Sequence, residues 1–279
     1  MAILLSGDYH ANSRGEIDLI YKDRLIDKYG QEKYDRIKYH IILGDAGFMW
    51  PHNKENDARN YKILAERHFP ILCVIGNHEP FYGKTGLPEA DIGIGETVYR
   101  INENPFTAYL KRGKVYTIDG IKLLALGGAL SIDKYRRVSG KTWWEQEYWS
   151  EQEKKDLFKL LETDHAFDFV ISHTGPHHIN LKLFEENFHI DPDKFYDNVA
   201  FLNDEIHSKI QFGQWFCGHF HEDEYYYDAH KKRGYQYLYR STRLIEKIDG
   251  VISVCNGIGE ENFINITENN IEKGKNDEI

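Results

Sequence analysis

Cysteine is scarce in this 279-residue chain, which has three. Cys73, Cys217 and Cys255 cannot all pair, and the first two lie inside apolar runs. Buried free thiols and a reducing, cytoplasmic setting are expected. Long apolar stretches are also missing: none approaches the ~20 residues of a membrane-spanning helix. Residues 1–8 are apolar at first, but they lack a basic flank and are too short for a secretion signal. They read as a buried first strand. Excess positive charge is absent, the net charge being −10. Such a surface is a poor general partner for nucleic acid or an anionic membrane, although bound divalent cations would create a local positive pocket. There is no P-loop, and Asp91-Ile92-Gly93-Ile94-Gly95-Glu96 falls short of a GxGxxG fingerprint. No internal repeat or clear linker divides the chain. Residues 1–272 read as one domain and 273–279 as a frayed tail.

What recurs is a short apolar run followed by a Gly-containing turn that carries a polar residue. Residues 2–5, 41–43, 71–75, 123–126, 169–171 and 215–217 are such runs, and their length suits strands buried on both faces. Helical patterns fall between them. Ser13-Arg14-Gly15-Glu16 has capping-box spacing ahead of a helix over 17–29, and Ser150-Glu151-Gln152-Glu153 has it ahead of Leu157, Leu160 and Leu161. Further helices are expected over 55–67 and 198–209. The alternation implies an α/β fold with polar motifs at the carboxyl ends of strands, where open sheets bind ligands. After Gly218 two hairpins are expected, 225–227 with 235–239 and 244–248 with 251–254, forming a second, more antiparallel sheet. Residues 263–266 read as an edge strand. The stretches 80–113, 131–149 and 174–197 read as irregular loops of the kind that wall a functional site.

Five of the strand-terminal motifs carry metal-ligand side chains. They are Asp8-Tyr9-His10, Gly44-Asp45, Gly76-Asn77-His78-Glu79, Ser172-His173 and Gly218-His219-Phe220-His221. In extended chain, residues i and i+2 point to the same side, so Asp8 and His10, and likewise His219 and His221, can reach a common point. The glycine before Asp45 and before Asn77 lets the chain turn sharply and project the side chain inward. Singly each motif is commonplace; together they point to one metal site. His40, His52, His68, His165, His189, His207 and His230 lack such a setting and read as structural or exposed.

The ordered series D-x-H, G-D, G-N-H-[DE], H, G-H-x-H over residues 8 to 221 resembles the calcineurin-like metallophosphoesterase superfamily. The resemblance implies a four-layer α/β/β/α sandwich of two mixed sheets around a di-metal centre. It implies Asp8, His10, Asp45 and His221 on one metal and Asp45, Asn77, His173 and His219 on the other, with Asp45 bridging. His78 becomes a non-ligand that faces substrate and serves as the catalytic acid. The mixed donor set suits Mn, Fe, Co, Ni or Zn and is too nitrogen-rich for Ca or Mg. The implied chemistry is attack in line on phosphorus by a hydroxide held between the two metals. Glu79 either orients His78 or is solvated.

Protein phosphatases of this superfamily extend the second motif to GDxVDRG, whereas here it reads Gly44-Asp45-Ala46-Gly47-Phe48-Met49-Trp50, without that arginine. Together with the Gly-His-x-His ending, this favours a phosphodiester or nucleotide over a phosphomonoester. Extended nucleic-acid binding is not expected of so acidic a chain, and a phosphomonoesterase acting on protein or small molecules, a nuclease or a non-catalytic module of the same fold are the other readings. Candidates for substrate contact lie in the loops. Lys134, Arg136 or Arg137 would take phosphate, Trp143 or Trp144 would stack on a base or sugar, and His177 or His178 would line the cleft.

Overall fold

The computed structural model describes residues 1–10, 20–48, 54–81, 86–188 and 196–264. The first apolar run forms β1 (Ala2–Ser6), buried along its whole length, as a strand covered on both faces must be. Parallel to it run β2 (Ile37–Ile42) and β3 (Ile71–Cys73). The same sheet continues through β6 (Phe106–Tyr109) to β5 (Val98–Glu103) and β4 (Glu89–Ala90). On the other side of β1 it adds β13 (Thr242–Ile248), β14 (Val251–Gly257) and β15 (Glu260–Ile264), all antiparallel. Its order is β15-β14-β13-β1-β2-β3-β6-β5-β4. A second sheet combines β7 (Lys114–Ile118), β8 (Ile121–Ala125), β9 (Ala166–Ile171), β10 (Gln211–Cys217), β11 (Tyr225–Asp228) and β12 (Arg233–Tyr237) in the order β11-β12-β10-β9-β8-β7.

The two sheets pack face to face. Ile3, Leu5, Ile41, Leu43, Leu72 and Val74 of the first share a buried cluster with Leu123, Phe169, Ile171 and Phe216 of the second. Alternate residues of β1, Ala2 and Leu4, face the other way, into a cluster with Leu25 and Tyr29 of α1 (Lys22–Tyr29), Tyr34 of α2 (Gln31–Asp35) and Leu64 of α3 (Lys54–Ala65). The outer face of the second sheet is covered by α4 (Glu151–Leu161), α5 (His177–Leu183) and α6 (Asn198–Lys209), through Leu157, Ile179, Leu183, Val199 and Ile206. Three apolar interfaces thus separate four layers, α/β/β/α. Each fully buried Leu, Ile or Phe contributes about 1.5–3 kcal/mol. Among the described residues no helix is long and apolar enough to cross a membrane.

Local signals hold where chemistry is specific. Ser150 and Glu153 form the expected reciprocal capping box on α4. The turn at Asp249-Gly250, with φ of 51° and 82°, joins β13 to β14, and Asp119-Gly120, with 53° and 71°, joins β7 to β8, as two-residue hairpins require. The Ser13–Glu16 box lies outside the described residues. So do residues 265–279, including the end of the expected edge strand, which begins earlier as β15.

Two expectations need correction. No separate C-terminal sheet forms among the described residues. The β11–β12 hairpin joins the second sheet, with β12 parallel to β10, and β13–β15 complete the first. Hairpin chemistry is local, whereas the sheet a hairpin joins is decided by which open edge accepts it. The stretches 80–113 and 174–197 are not irregular throughout, because the first holds β4, β5 and β6 and the second holds α5. β5 is a mostly half-buried strand near the sheet edge and reads Val-Tyr-Arg-Ile-Asn-Glu; a strand covered on one side needs no continuous apolar run.

His40 is buried, as expected of a structural histidine. Its Nε2 lies 2.7 Å from Ser6 Oγ and 3.1 Å from Tyr9 Oη, and Arg67 Nη2 approaches Nδ1 at 3.3 Å. Burial, with help from Arg67, holds its pKa well below the usual imidazole range.

Candidate metal centre

The motif residues sit just past the carboxyl ends of β1, β2 and β3 in the first sheet and of β9 and β10 in the second. Asp8, Asp45, Asn77 and His173 are buried. His10, His221 and His78 keep 18%, 30% and 33% side-chain exposure, so the mouth of the site opens on their side. Strained backbone concentrates here. His10, Asp45, His219 and His221 all have positive φ, at 45°, 49°, 73° and 57°, a conformation that costs about 1–3 kcal/mol per residue and persists only where the surroundings enforce it. The motif glycines bring backbone against ligand. A Cβ on Gly76 would lie 2.0 Å from Asp45 Oδ1, and one on Gly218 would lie 2.4 Å from Asp8 Oδ1. No other residue fits at either position.

The donors converge. His173 Nε2 lies 3.3 Å from Asp45 Oδ2 and 3.0 Å from Asn77 Oδ1. His221 Nε2 is 3.4 Å from Asp8 Oδ2 and 2.8 Å from His10 Nε2. One group of ligand atoms within 4.8 Å of each other joins Asp8, His10 and His221; another joins His10, Asp45 and His78. Backbone N–H groups fix both carboxylates. Asp8 accepts from His219 at 3.2 and 3.0 Å, and Asp45 Oδ1 accepts from His78 at 2.9 Å. His173 donates Nδ1–H to the Leu43 carbonyl at 2.8 Å, which turns Nε2 toward the site.

The charges fit a cation. Burial opposes protonation of His173, but the Asp45 and Asp8 carboxylates outweigh it and push its pKa up to about 10. Burial likewise opposes ionisation of Asp45, yet His173, His78 and His10 hold it well below the carboxylate range. Burial and the positive neighbour His173 keep His219 neutral far below its usual pKa. The pocket thus gathers acceptor atoms around a point where only a shared proton or a metal ion relieves their repulsion. The donor set of carboxylate, amide and imidazole, with no thiolate, suits divalent transition metals.

Support comes from residues the motifs do not announce. Asn77 Nδ2 donates to Ser131 Oγ at 3.0 Å, and Ser131 Oγ donates to buried Glu147 at 2.6 Å. That relay sets the amide orientation and leaves Asn77 Oδ1 facing the site. Ser131→Ala is expected to weaken metal affinity about 10–100-fold. Titration of the apoprotein with Mn measures it, and unchanged affinity would show that the relay does not matter. Glu79 is not solvated. It is buried, and its two oxygens accept the backbone N–H of Gly47 at 3.1 Å and of Gly76 at 2.9 Å. It ties the loops after β2 and β3 together. Burial and the nearby Asp45 carboxylate raise its pKa to about 7.

A calcineurin-like phosphoesterase family model matches residues 1–223. The chain belongs to that family. As a calcineurin-like phosphoesterase it is a metal-dependent phosphoester hydrolase whose cofactors are two divalent metal ions. Among solved structures, GAP50, the anchor in the inner membrane complex of Plasmodium, shares the fold with a TM-score of 0.55 at 11% identity, over 96% of this chain and 89% of that one. A dimetal phosphatase from Danio rerio aligns with a TM-score of 0.49 at 14% identity, over 95% and 98%. No curated protein sequence matches the chain significantly. The 224–264 part, outside the family match, supplies the strands that extend both sheets of this phosphoesterase.

The loop candidates separate. Arg137 Nη2 reaches His78 Nε2 at 2.7 Å. Arg136 is exposed and lies over Tyr135, 5.1 Å from its ring centre. Lys134 sits over Trp143 at 4.4 Å and Tyr148 at 5.2 Å. Trp144 is buried in the same apolar cluster as Phe48 and Phe81. That corrects the stacking role expected of it, because a ring enclosed in the core has no free face for a base. His177 starts α5 with its ring 3.9 Å from that of Phe201, and His178 pairs with Asp204 at 2.5 Å. Arg112 pins the far end of the 131–149 loop. It makes paired bonds of 2.8 Å to Glu153 and donates to the carbonyls of Gln146 and Tyr148 at 2.9 and 3.0 Å.

Proposed function

We propose that Asp8, His10, Asp45 and His221 hold one divalent cation and that Asp45, Asn77, His173 and His219 hold the second, with Asp45 shared. The observation that carries this reading is the meeting of His173 Nε2, Asn77 Oδ1 and Asp45 Oδ2 within 3.3 Å of the imidazole nitrogen. Two cations there supply Lewis acidity toward a phosphoryl oxygen and make water a usable nucleophile at neutral pH. Manganese, iron, cobalt, nickel and zinc all suit the donors.

The chain's own residues do the rest. Asp8 and Asp45 are held by backbone N–H groups, so the ligands need no rearrangement to meet charge. His78 stands at the mouth, its Nε2 3.9 Å from Asp45 Oδ2. There it gives a proton to the leaving oxygen or hydrogen-bonds a phosphoryl oxygen. The substrate is a small phosphoester, nucleotides included, because the acidic chain favours neither a membrane nor extended nucleic acid. The Gly-His-x-His ending on its own leans toward a phosphodiester or nucleotide, but the missing arginine after Gly44-Asp45 is offset by Arg137, which brings a guanidinium to His78 from another loop, so phosphomonoesters, nucleoside monophosphates included, belong to the substrate class as well.

The test is turnover of an aryl phosphodiester and an aryl phosphomonoester by protein loaded with Mn. Turnover of at least one, lost on chelation and restored by metal, is expected. No turnover of either with metal bound would overturn the hydrolase assignment of these residues.

A further inference from the structure

Arg137 carries an unusual guanidinium. Its side chain is 8% exposed, while the carboxylate that holds it, Asp133, is 47% exposed and lies 2.6 Å from Nη2. The same Nη2 is 2.7 Å from His78 Nε2. Nη1 is buried and makes no hydrogen bond among the described residues. A buried charged donor without an acceptor is costly to maintain. Nothing about this loop suggests a chance placement. Arg137 N donates to the Lys134 carbonyl, closing a short helical turn over Lys134–Arg136. Before that turn, Ser131 is bonded to Glu147. After it, Trp149 Nε1 donates to the Gly127 carbonyl at 2.9 Å, returning the loop to its own start.

We infer that Arg137 is the phosphoryl-binding residue of this hydrolase, that Asp133 positions it, and that the pair fits the site to a terminal phosphate, that is, a phosphomonoester. The inference rests on the hydrolase reading above. A phosphomonoester carries close to two negative charges at neutral pH and three non-bridging oxygens. A diester carries one charge and two such oxygens, its remaining position being a neutral ester. Two cations and His78 already serve the charge and the oxygens that both classes share. The additional guanidinium has an additional acceptor only in the monoester. Arginine suits the task because its fork can keep Asp133 on one nitrogen while the other meets a phosphoryl oxygen. Nη2 then keeps Asp133 and His78, and Nη1 is the nitrogen that meets the phosphoryl oxygen.

The test compares wild type with Arg137→Ala, Arg137→Lys and Asp133→Asn, all loaded with Mn, and with Lys141→Ala, at an exposed position of the same loop, as a control for disturbance of the loop. Metal content and melting temperature verify that each variant is intact. In Arg137→Ala the ratio of monoesterase to diesterase kcat/KM is expected to fall about 10–100-fold, the worth of a hydrogen bond between charged groups. Calorimetric binding of inorganic phosphate to the loaded protein should weaken by a similar factor, with lysine restoring part of it. Asp133→Asn should move both readouts the same way by less, and Lys141→Ala should move neither. Equal loss on both esters, or unchanged phosphate binding, would overturn the inference. Should Arg137→Ala fail to fold, Arg137→Lys and Asp133→Asn carry the same two readouts. If wild type hydrolyses neither ester, the hydrolase reading falls, while phosphate calorimetry still decides whether Arg137 binds phosphate.

Discussion

Asp45→Asn is expected to lower kcat/KM by about 1,000-fold or more and to deplete both metal positions together. The size follows from the proposed sharing of this ligand by both ions. Weakening one ion by changing its surroundings costs about 10–100-fold, and this substitution removes a full negative charge from between two ions. The backbone contacts of Asp45 persist, because His78 N can still donate to an amide oxygen and the Asp45 carbonyl still accepts from Tyr9 N and His10 N at 3.1 and 2.8 Å. The loss is therefore electrostatic rather than architectural. Elemental analysis of the purified variant, alongside its turnover, measures it. An asparagine variant that keeps both ions would show that Asp45 does not bridge.

His78→Ala is expected to lower kcat by about 100- to 10,000-fold, the range for removing a positioned acid, with metal content unchanged. The geometry makes this a sharp test. His78, His10 and Asp45 present ligand atoms within 4.8 Å of one another, so distance alone does not separate His78 from a ligand. What separates it is the contact of its Nε2 with Arg137 Nη2 at 2.7 Å, which a metal ligand does not need. Loss of metal in His78→Ala would move it into the ligand set and leave the protein without an assigned acid.

Much of this site is legible in the sequence for a physical reason. A ligand at the end of a buried strand needs an apolar run, a turn small enough for close approach and a polar side chain. Ile41-Ile42-Leu43-Gly44-Asp45 writes all three in consecutive letters. The layers are legible because β1 alternates Ile3 and Leu5 into one core with Ala2 and Leu4 into another. What escapes is long-range and chemically ordinary. Ser131 and Glu147 are unremarkable letters 54 and 70 positions beyond Asn77 and matter only because a loop brings them back to it. Glu79 sits inside a motif, yet its role is set by Gly47, 32 residues away. Trp144 and Trp143 are adjacent in sequence and differ in burial, a distinction that periodicity does not carry. The parallel pairing of β12 with β10 depends on an open sheet edge that no local pattern reveals.

The most direct measurement is a titration of chelator-treated protein with Mn, counting ions bound per chain while recording phosphoester turnover. The account predicts no turnover at the start, and activity that rises with added metal and levels off at two equivalents. Full turnover in the metal-free protein, or saturation with no ion bound, would contradict it.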